Sequence, residues 1–261
     1  MNTITSNKSV LITIAVSLIL LGFFYIAGAN KKEPVRNGNL PSVTNLDEIY
    51  YAFQDAQSQD DVFLELSLNN GVGKLKSISL NDNTAIEEIG KYTDDQKGIT
   101  LTLDFKDGKP LESTKILKFA KHGPTLKLTN NVEARFGNGQ LLFQKPTNVL
   151  GGTSWNWEKS EYANATDVEP ADKTKFKLSF SKDGTFESST DCNSLSGRYY
   201  IVGSELRFST MMSTLRFCED SLETEYSKDL RKVHSFLIEE SGLTLGLEVD
   251  SGHMQFVKAQ N

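Results

Sequence analysis

Val62-Phe63-Leu64-Glu65-Leu66-Ser67-Leu68, followed at once by Asn69-Asn70-Gly71, decides the fold of this 261-residue chain. Apolar residues fall on every second position, which places them on one face of a β-strand, and Asn-Gly supplies the backbone of a tight hairpin. The same grammar recurs outward. Ile99, Leu101, Leu103 and Phe105 alternate before Lys106-Asp107-Gly108, and Leu126 and Leu128 precede Asn130-Asn131. Val132, Ala134 and Phe136 then lead to Gly137-Asn138-Gly139, after which Leu141 and Phe143 return. Short strands joined by such turns form a meander with one apolar face, and closing the meander removes its exposed edges. Residues 46–147 are therefore expected to form a small antiparallel barrel.

Beyond Pro146–Val149 the pattern restarts. Phe176, Leu178 and Phe180 alternate, Ser181-Lys182-Asp183-Gly184 turns, and Thr185 and Phe186 return. Gly203-Ser204 joins Tyr199–Val202 to Leu206–Phe208. Leu243, Leu245, Leu247 and Val249 make a further strand, and Asp250-Ser251-Gly252 turns it into Met254–Val257. One helix interrupts the strands. Asp220 is read as its N-cap, with Glu223 three residues on in the capping-box position. Leu222, Tyr226, Leu230, Val233 and Leu237 recur at helical spacing, and Lys228, Arg231 and Lys232 crowd the last turns, where the helix dipole favours positive charge. An amphipathic helix of that length, laid on the sheet, is expected to supply most of the core. The fold class is mainly β.

The order of motifs in this second half resembles a known family. Leu150-Gly151-Gly152-Thr153-Ser154-Trp155 opens it, and Phe176-x-Leu178-x-Phe180-x-x-Asp183-Gly184-x-Phe186 forms its first hairpin. Cys192-Asn193-x-x-x-Gly197-x-Tyr199, Met212-Ser213-Thr214-x-x-x-Cys218 and Glu225-Tyr226-x-x-x-Leu230 follow, closed by Leu243-x-Leu245 and Met254-x-Phe256. From Leu150 to Lys258 the chain resembles the META domain of HslJ-like proteins. Residues 148–258 are assigned to that domain, with Trp155, Asp183, Gly184, Cys192, Asn193, Gly197, Thr214 and Cys218 as its motif positions. The resemblance implies a compact β-rich module with one helix, found in envelope and secreted proteins, with no assigned catalysis and with links to stress tolerance. Glu187-Ser188-Ser189 departs from it, since a small Gly-containing stretch is more usual there.

The first half resembles the N-terminal barrel of the NlpE envelope lipoproteins. Glu48-Ile49-Tyr50-Tyr51 runs into Phe63–Leu68, and Glu88-Ile89-Gly90-Lys91-Tyr92 runs into Gly98–Leu103. That family's Cys-x-x-Cys pair has no counterpart between Tyr51 and Val62, and thiolates are what select soft copper. A copper role is not carried over.

Residues Val10–Ala29 are uncharged and, except for Thr13, Ser17 and Tyr25, apolar, and the run is long enough to span a bilayer core as a helix. Ala27-Gly28-Ala29 has the small-x-small form of a signal-peptidase site. An uncleaved anchor over residues 1–29 and a cleaved signal peptide both fit. Lys31, Lys32 and Arg36 outnumber Lys8, which argues against a cytoplasmic N-terminus; the cysteine pair and the β-rich body argue for export. Export is the reading adopted. No Cys lies near residue 29, so a lipid-anchored lipoprotein is not expected. Residues 30–45 are polar, carry two prolines and read as a tether. The body is placed in the cell envelope, either held by the inner membrane with a periplasmic domain or released into the periplasm.

Cys192 and Cys218 are the chain's two cysteines. They are either buried thiols or, as export favours, a bonded pair whose loop of roughly 26 residues would contribute on the order of 3 kcal/mol by chain entropy.

The charge of −6 carries no Lys/Arg stripe, so nucleic acid is not an expected partner. His122, His234 and His253 share no ligand spacing, and no metal or other cofactor is expected. No Gly-x-Ser-x-Gly elbow or triad motif exists. Asp60-Asp61 and Glu87-Glu88 put neighbouring carboxylates on opposite strand faces, which reads as solvated. Asp55 to Asp61 lacks the Gly and Glu of a calcium loop. Trp155 and Trp157 share one strand face and read as core in preference to a ligand shelf; Asn193 reads as a turn residue. The expected protein is a non-catalytic envelope module that binds a protein or a small amphipathic ligand, with inhibition of an exogenous protease or lysozyme as the alternative.

Overall fold

The computed structural model describes residues 48–54, 61–130, 136, 141–248 and 251–260. The apolar run Val10–Ala29, the tether 30–45, the acidic stretch 55–60, the turn 137–139 and residues 249–250 lie outside them.

Eight antiparallel strands, each bonded to the next in chain order, form the first barrel. They are β1 (Glu48–Phe53), β2 (Val62–Asn69), β3 (Val72–Ser79), β4 (Ala85–Asp94), β5 (Gly98–Lys106), β6 (Lys109–His122), β7 (Thr125–Leu128) and β8 (Leu142–Gln144). Pairing of Tyr51 with Gln144 closes the ring. The hairpin turns are those the sequence called for. Asn70 and Gly71 sit at φ 49° and 79°, and Asp107 and Gly108 at 49° and 76°, the left-handed pair of a type I′ turn. Leu64, Leu66, Leu101, Leu103 and Phe143 fill the interior.

Two readings in this barrel need correction. Phe105 does not continue the inward row of Ile99, Leu101 and Leu103. The register shifts between Leu103 and Phe105, and Phe105 turns outward to 45% exposure. A β-bulge adds one residue and so flips every later side chain. Glu88, expected to be solvated, is fully buried, and its carboxylate accepts a hydrogen bond from Lys115 Nζ at 2.8 Å. A charge is tolerated at that depth because its partner enters with it.

Residues 153–258 make a second closed sheet. Its strands are β9 (Thr153–Tyr162), β10 (Asp167–Val168), β11 (Lys177–Phe180), β12 (Thr185–Ser189), β13 (Ser194–Val202) and β14 (Glu205–Phe208), then β15 (Met212–Ser213), β16 (Val233–Ile238), β17 (Leu243–Leu247) and β18 (Gly252–Lys258). The long β9–β18 pairing joins the two ends, so eight strands ring the core while β10 and β15 sit on its rim.

The single α-helix among the described residues is α1 (Glu223–Arg231), shorter than its apolar stripe implied. Val233 and Leu237 belong to β16. Val233 pairs with Leu247 and is buried, whereas Leu237 is 55% exposed. Asp220 is not the N-cap, for its φ of 58° is left-handed and an N-cap is extended. Leu222 holds that position without a side-chain cap. Nor does the helix supply most of the core, which is built from inward residues of all eight strands. Its part is to seal the sheet. Tyr226 packs its ring 5.1 Å from Trp157 and 5.3 Å from Phe176, and Leu230 is fully buried beside it. The Tyr226 hydroxyl lies 2.9 Å from Ser188 Oγ, which accounts for a buried serine in the Glu187-Ser188-Ser189 stretch.

Both barrels lie within one compact unit, Thr44–Asn261. Phe63 points outward from β2, yet it is only 3% exposed, because Tyr200 of β13 covers it at 4.6 Å between ring centroids. Tyr51, Phe53, Leu80 and Val202 complete this small apolar seam. Arg207 lies over the Phe53 ring at 4.9 Å, and Thr210 donates its N–H to Leu80 O at 2.8 Å.

Candidate functional site

Two features are candidates. The first is a cleft of about 670 Å³ beside the seam, floored by Tyr51, Phe63 and Tyr200 and edged by Lys76, Lys182 and Arg198. Its C-terminal wall is already satisfied from within. The Tyr199 hydroxyl lies 2.7 Å from Ser181 O and 2.8 Å from Asn148 Oδ1, sharing its one proton between them, Asn148 donates to Lys182 O, and Arg198 donates to Asp183 O. Polar groups committed to their own barrel stiffen a joint; they do not converge on a ligand.

The second feature is built around the cysteines. Cys192 and Cys218 are joined in a disulfide with Cα atoms 5.9 Å apart. Asn193, buried beside it, uses its whole amide: Oδ1 accepts from Arg216 N–H (2.8 Å) and Thr214 Oγ1 (2.9 Å), while Nδ2 donates to Arg216 O (2.9 Å). One side chain thus holds both backbone groups of Arg216, as a neighbouring strand would. The turn below is fixed to the helix. Asp191 accepts from Leu222 N–H (3.0 Å) and Ser221 Oγ (2.5 Å), and Glu223 accepts from Asn193 N–H (2.9 Å) and Thr190 Oγ1 (3.1 Å). On this base the chain runs from β15 to Cys218 without a turn or bend. Leu215 is 100% exposed and Phe217 is 95% exposed.

Two large apolar side chains thus stand in solvent on a loop held firmly at its base. Burial of each would be worth about 1.5–3 kcal/mol; single exposed apolar groups are common on protein surfaces, and what sets these two apart is that they flank Arg216, whose backbone Asn193 clamps. Neither residue was a sequence candidate. The signal was there, since Leu215-Arg216-Phe217 sits between two motif positions yet joins no periodic stripe.

The remaining motif residues hold the sheet. Asp183 Oδ1 accepts from Thr185 Oγ1 (2.6 Å) and then from its N–H (3.0 Å), and these bonds favour the ionised form and hold the carboxyl below its usual range. Gly184 takes φ 82° in that turn, and a Cβ at Gly197 would press on the Phe186 ring at 2.8 Å. Trp155 and Trp157 are both core. His122, His234 and His253 lie on β6, β16 and β18; His253 Nε2 meets Glu161 at 2.8 Å and His234 O accepts from Arg207. No cluster of three metal-ligating side chains occurs among the described residues.

Tyrosines in the second barrel tie stability to high pH. Burial raises Tyr226 above the usual phenol range, and burial followed by the Asp229 hydrogen bond pushes Tyr162 up to about 12. A raised folded-state pKa means the folded chain binds more protons than the unfolded chain above pH ~10. Stability is then complete below pH ~10 and falls as pH climbs toward the folded values, by up to about 1.4 kcal/mol per pH unit for the buried Tyr226. Melting temperature followed through this range should drop together with the appearance of tyrosinate absorbance. Complete tyrosine ionisation near pH 10 in a still-folded barrel would contradict the burial.

A closed eight-stranded sheet sealed by one helix and stapled beside it defines a small-barrel module. The META domain family model matches residues 148–261, the span that forms this second barrel. No curated protein matches the chain at a significant level. Two solved structures resemble it over 43% of its length. One is an NMR structure of a protein from Burkholderia xenovorans, with 22% identity, 86% of that chain covered and a TM-score of 0.39. The other is a crystal structure of a DUF4847 family protein from Bacteroides vulgatus, with 16% identity, 96% of that chain covered and a TM-score of 0.35.

Proposed function

We propose that this is a non-catalytic binding protein displayed outside the cytoplasmic membrane, which engages a protein partner through the Leu215–Phe217 tip. One observation carries the reading: two fully exposed apolar residues on a loop anchored by a disulfide and by Asn193. Holding the tip rigid in advance removes the ordering cost that weakens flexible binders. The disulfide supports an oxidising compartment, and the charge-free run Val10–Ala29 supports export or anchoring. No helix among the described residues is long and apolar enough to cross a membrane.

The test is photo-crosslinking in cells, with a crosslinkable residue placed at Leu215 and, as control, at the exposed Glu187 of β12. A discrete adduct in the envelope fraction from position 215 alone is expected. The same adducts from both positions, or none from 215, would remove the reading.

A further inference from the structure

Resting on that reading, we infer that the tip is shaped to occupy the substrate cleft of a serine endopeptidase whose primary pocket is apolar, with Phe217 as the side chain that enters it. The argument begins with backbone geometry. In an extended chain, the N–H and C=O of one residue face one side, and those of the residues before and after face the other. Asn193 takes both groups of Arg216, so the chain edge of Arg216 faces the barrel. The edges of Leu215 and Phe217 then face solvent, and among the described residues nothing bonds their N–H or C=O groups. A partner that reads this segment must do so by adding alongside it as a strand, taking backbone bonds from alternate residues and side chains in alternate pockets.

Serine endopeptidases bind substrates in that manner, and the large apolar residue nearest the rigid anchor is Phe217. A hydrophobic slot next to the seryl nucleophile is the pocket that accepts such a ring. The peptide bond presented for attack is Phe217–Cys218, which is where the staple matters. Seryl oxygen adds to the Phe217 carbonyl, and the Cys218 nitrogen leaves as an amine carrying the proton handed on by the general base. In an ordinary substrate that amine would diffuse away. Here Cys218 remains bonded to Cys192 on the other side of the cut. The amine stays next to the ester, its return re-forms the peptide bond and restores the seryl hydroxyl, and the enzyme stays occupied.

The experiment uses the full chain in detergent micelles against chymotrypsin, with hydrolysis of a small chromogenic peptide as readout and trypsin as control. Micromolar or tighter inhibition of chymotrypsin is expected, with the chain largely intact afterwards. Phe217→Ala should weaken inhibition by on the order of 100-fold, as for a central interface residue. Its melting temperature should be unchanged, since the ring packs on nothing. Phe217→Arg should transfer inhibition to trypsin.

Several results would overturn the inference. One is rapid cleavage after Phe217 without inhibition. Another is trypsin inhibition by the unaltered chain that Arg216→Ala abolishes, which would place the wrong residue in the pocket. A third is absence of inhibition together with Phe217-dependent binding to lipid vesicles, which would assign the tip to a membrane surface. A crosslinked partner at Leu215 combined with no inhibition would sink this inference and leave the broader binding reading standing.

Discussion

Leu230→Asp is expected to abolish the folded state of the C-terminal barrel. Leu230 is fully buried on α1, next to Tyr226 and within the same core cluster as Trp157 and Phe176. Removing the leucine side chain alone should cost about 2–5 kcal/mol. A carboxylate in its place adds several more, since a charge buried among apolar side chains is strongly disfavoured. The sum approaches or exceeds the roughly 5–15 kcal/mol that holds a whole domain together. Both tryptophans of the chain, Trp155 and Trp157, are in this barrel, so tryptophan emission reports on it alone. A red-shifted, solvent-like emission is expected for Leu230→Asp and a native one for Leu230→Met, which keeps volume and polarity. Native emission from a soluble Leu230→Asp protein would mean that α1 does not seal the sheet.

That helix also shows where sequence reading stops. Leu222, Tyr226, Leu230, Val233 and Leu237 satisfy helical spacing, but Val233-His234-Ser235-Phe236-Leu237-Ile238 is also rich in β-branched and aromatic residues. Both periodicities fit, and what decides between them is a distant partner. β16 must complete the ring between β14 and β17, and only an extended chain can supply those ladder bonds. The hairpins were legible because Asn70-Gly71 and Asp107-Gly108 carry their geometry locally. Phe63 was not, for its alternation with Leu64 places it outside the first barrel, and its burial depends on Tyr200, 137 positions further along the chain. The stapled loop was half legible. Cys192, Asn193, Thr214 and Cys218 are motif positions, whereas the clamp Asn193 makes on Arg216 and the outward turn of Leu215 and Phe217 exist only once β13 and β15 are paired.

Replacing Cys192 and Cys218 together by serine is expected to loosen the same barrel less drastically and the tip far more. Opening the loop should lower stability by about 3 kcal/mol in the chain-entropy account, and the melt followed by tryptophan emission should fall by on the order of 10 °C. The tip loses more because little else holds it. Once the sulfurs are gone, Thr214, Arg216 and the Asn193 amide are linked by hydrogen bonds worth about 0.5–1.5 kcal/mol each, net of the water they displace. Bonds of that size are shared with solvent in an exposed loop, so the segment from Thr214 to Phe217 should open on its own long before the barrel unfolds. Limited proteolysis separates the two levels. The serine variant should be cut after Phe217 at a temperature where its tryptophans still report a folded core, and the disulfide-bonded chain should resist under the same conditions. Reduction of the unaltered chain should reproduce the cut. Equal resistance of both forms, or an unchanged melt, would show that the loop is held by the sheet and not by the staple, and the rigidity on which partner binding rests would have to come from Asn193 and Glu223 alone.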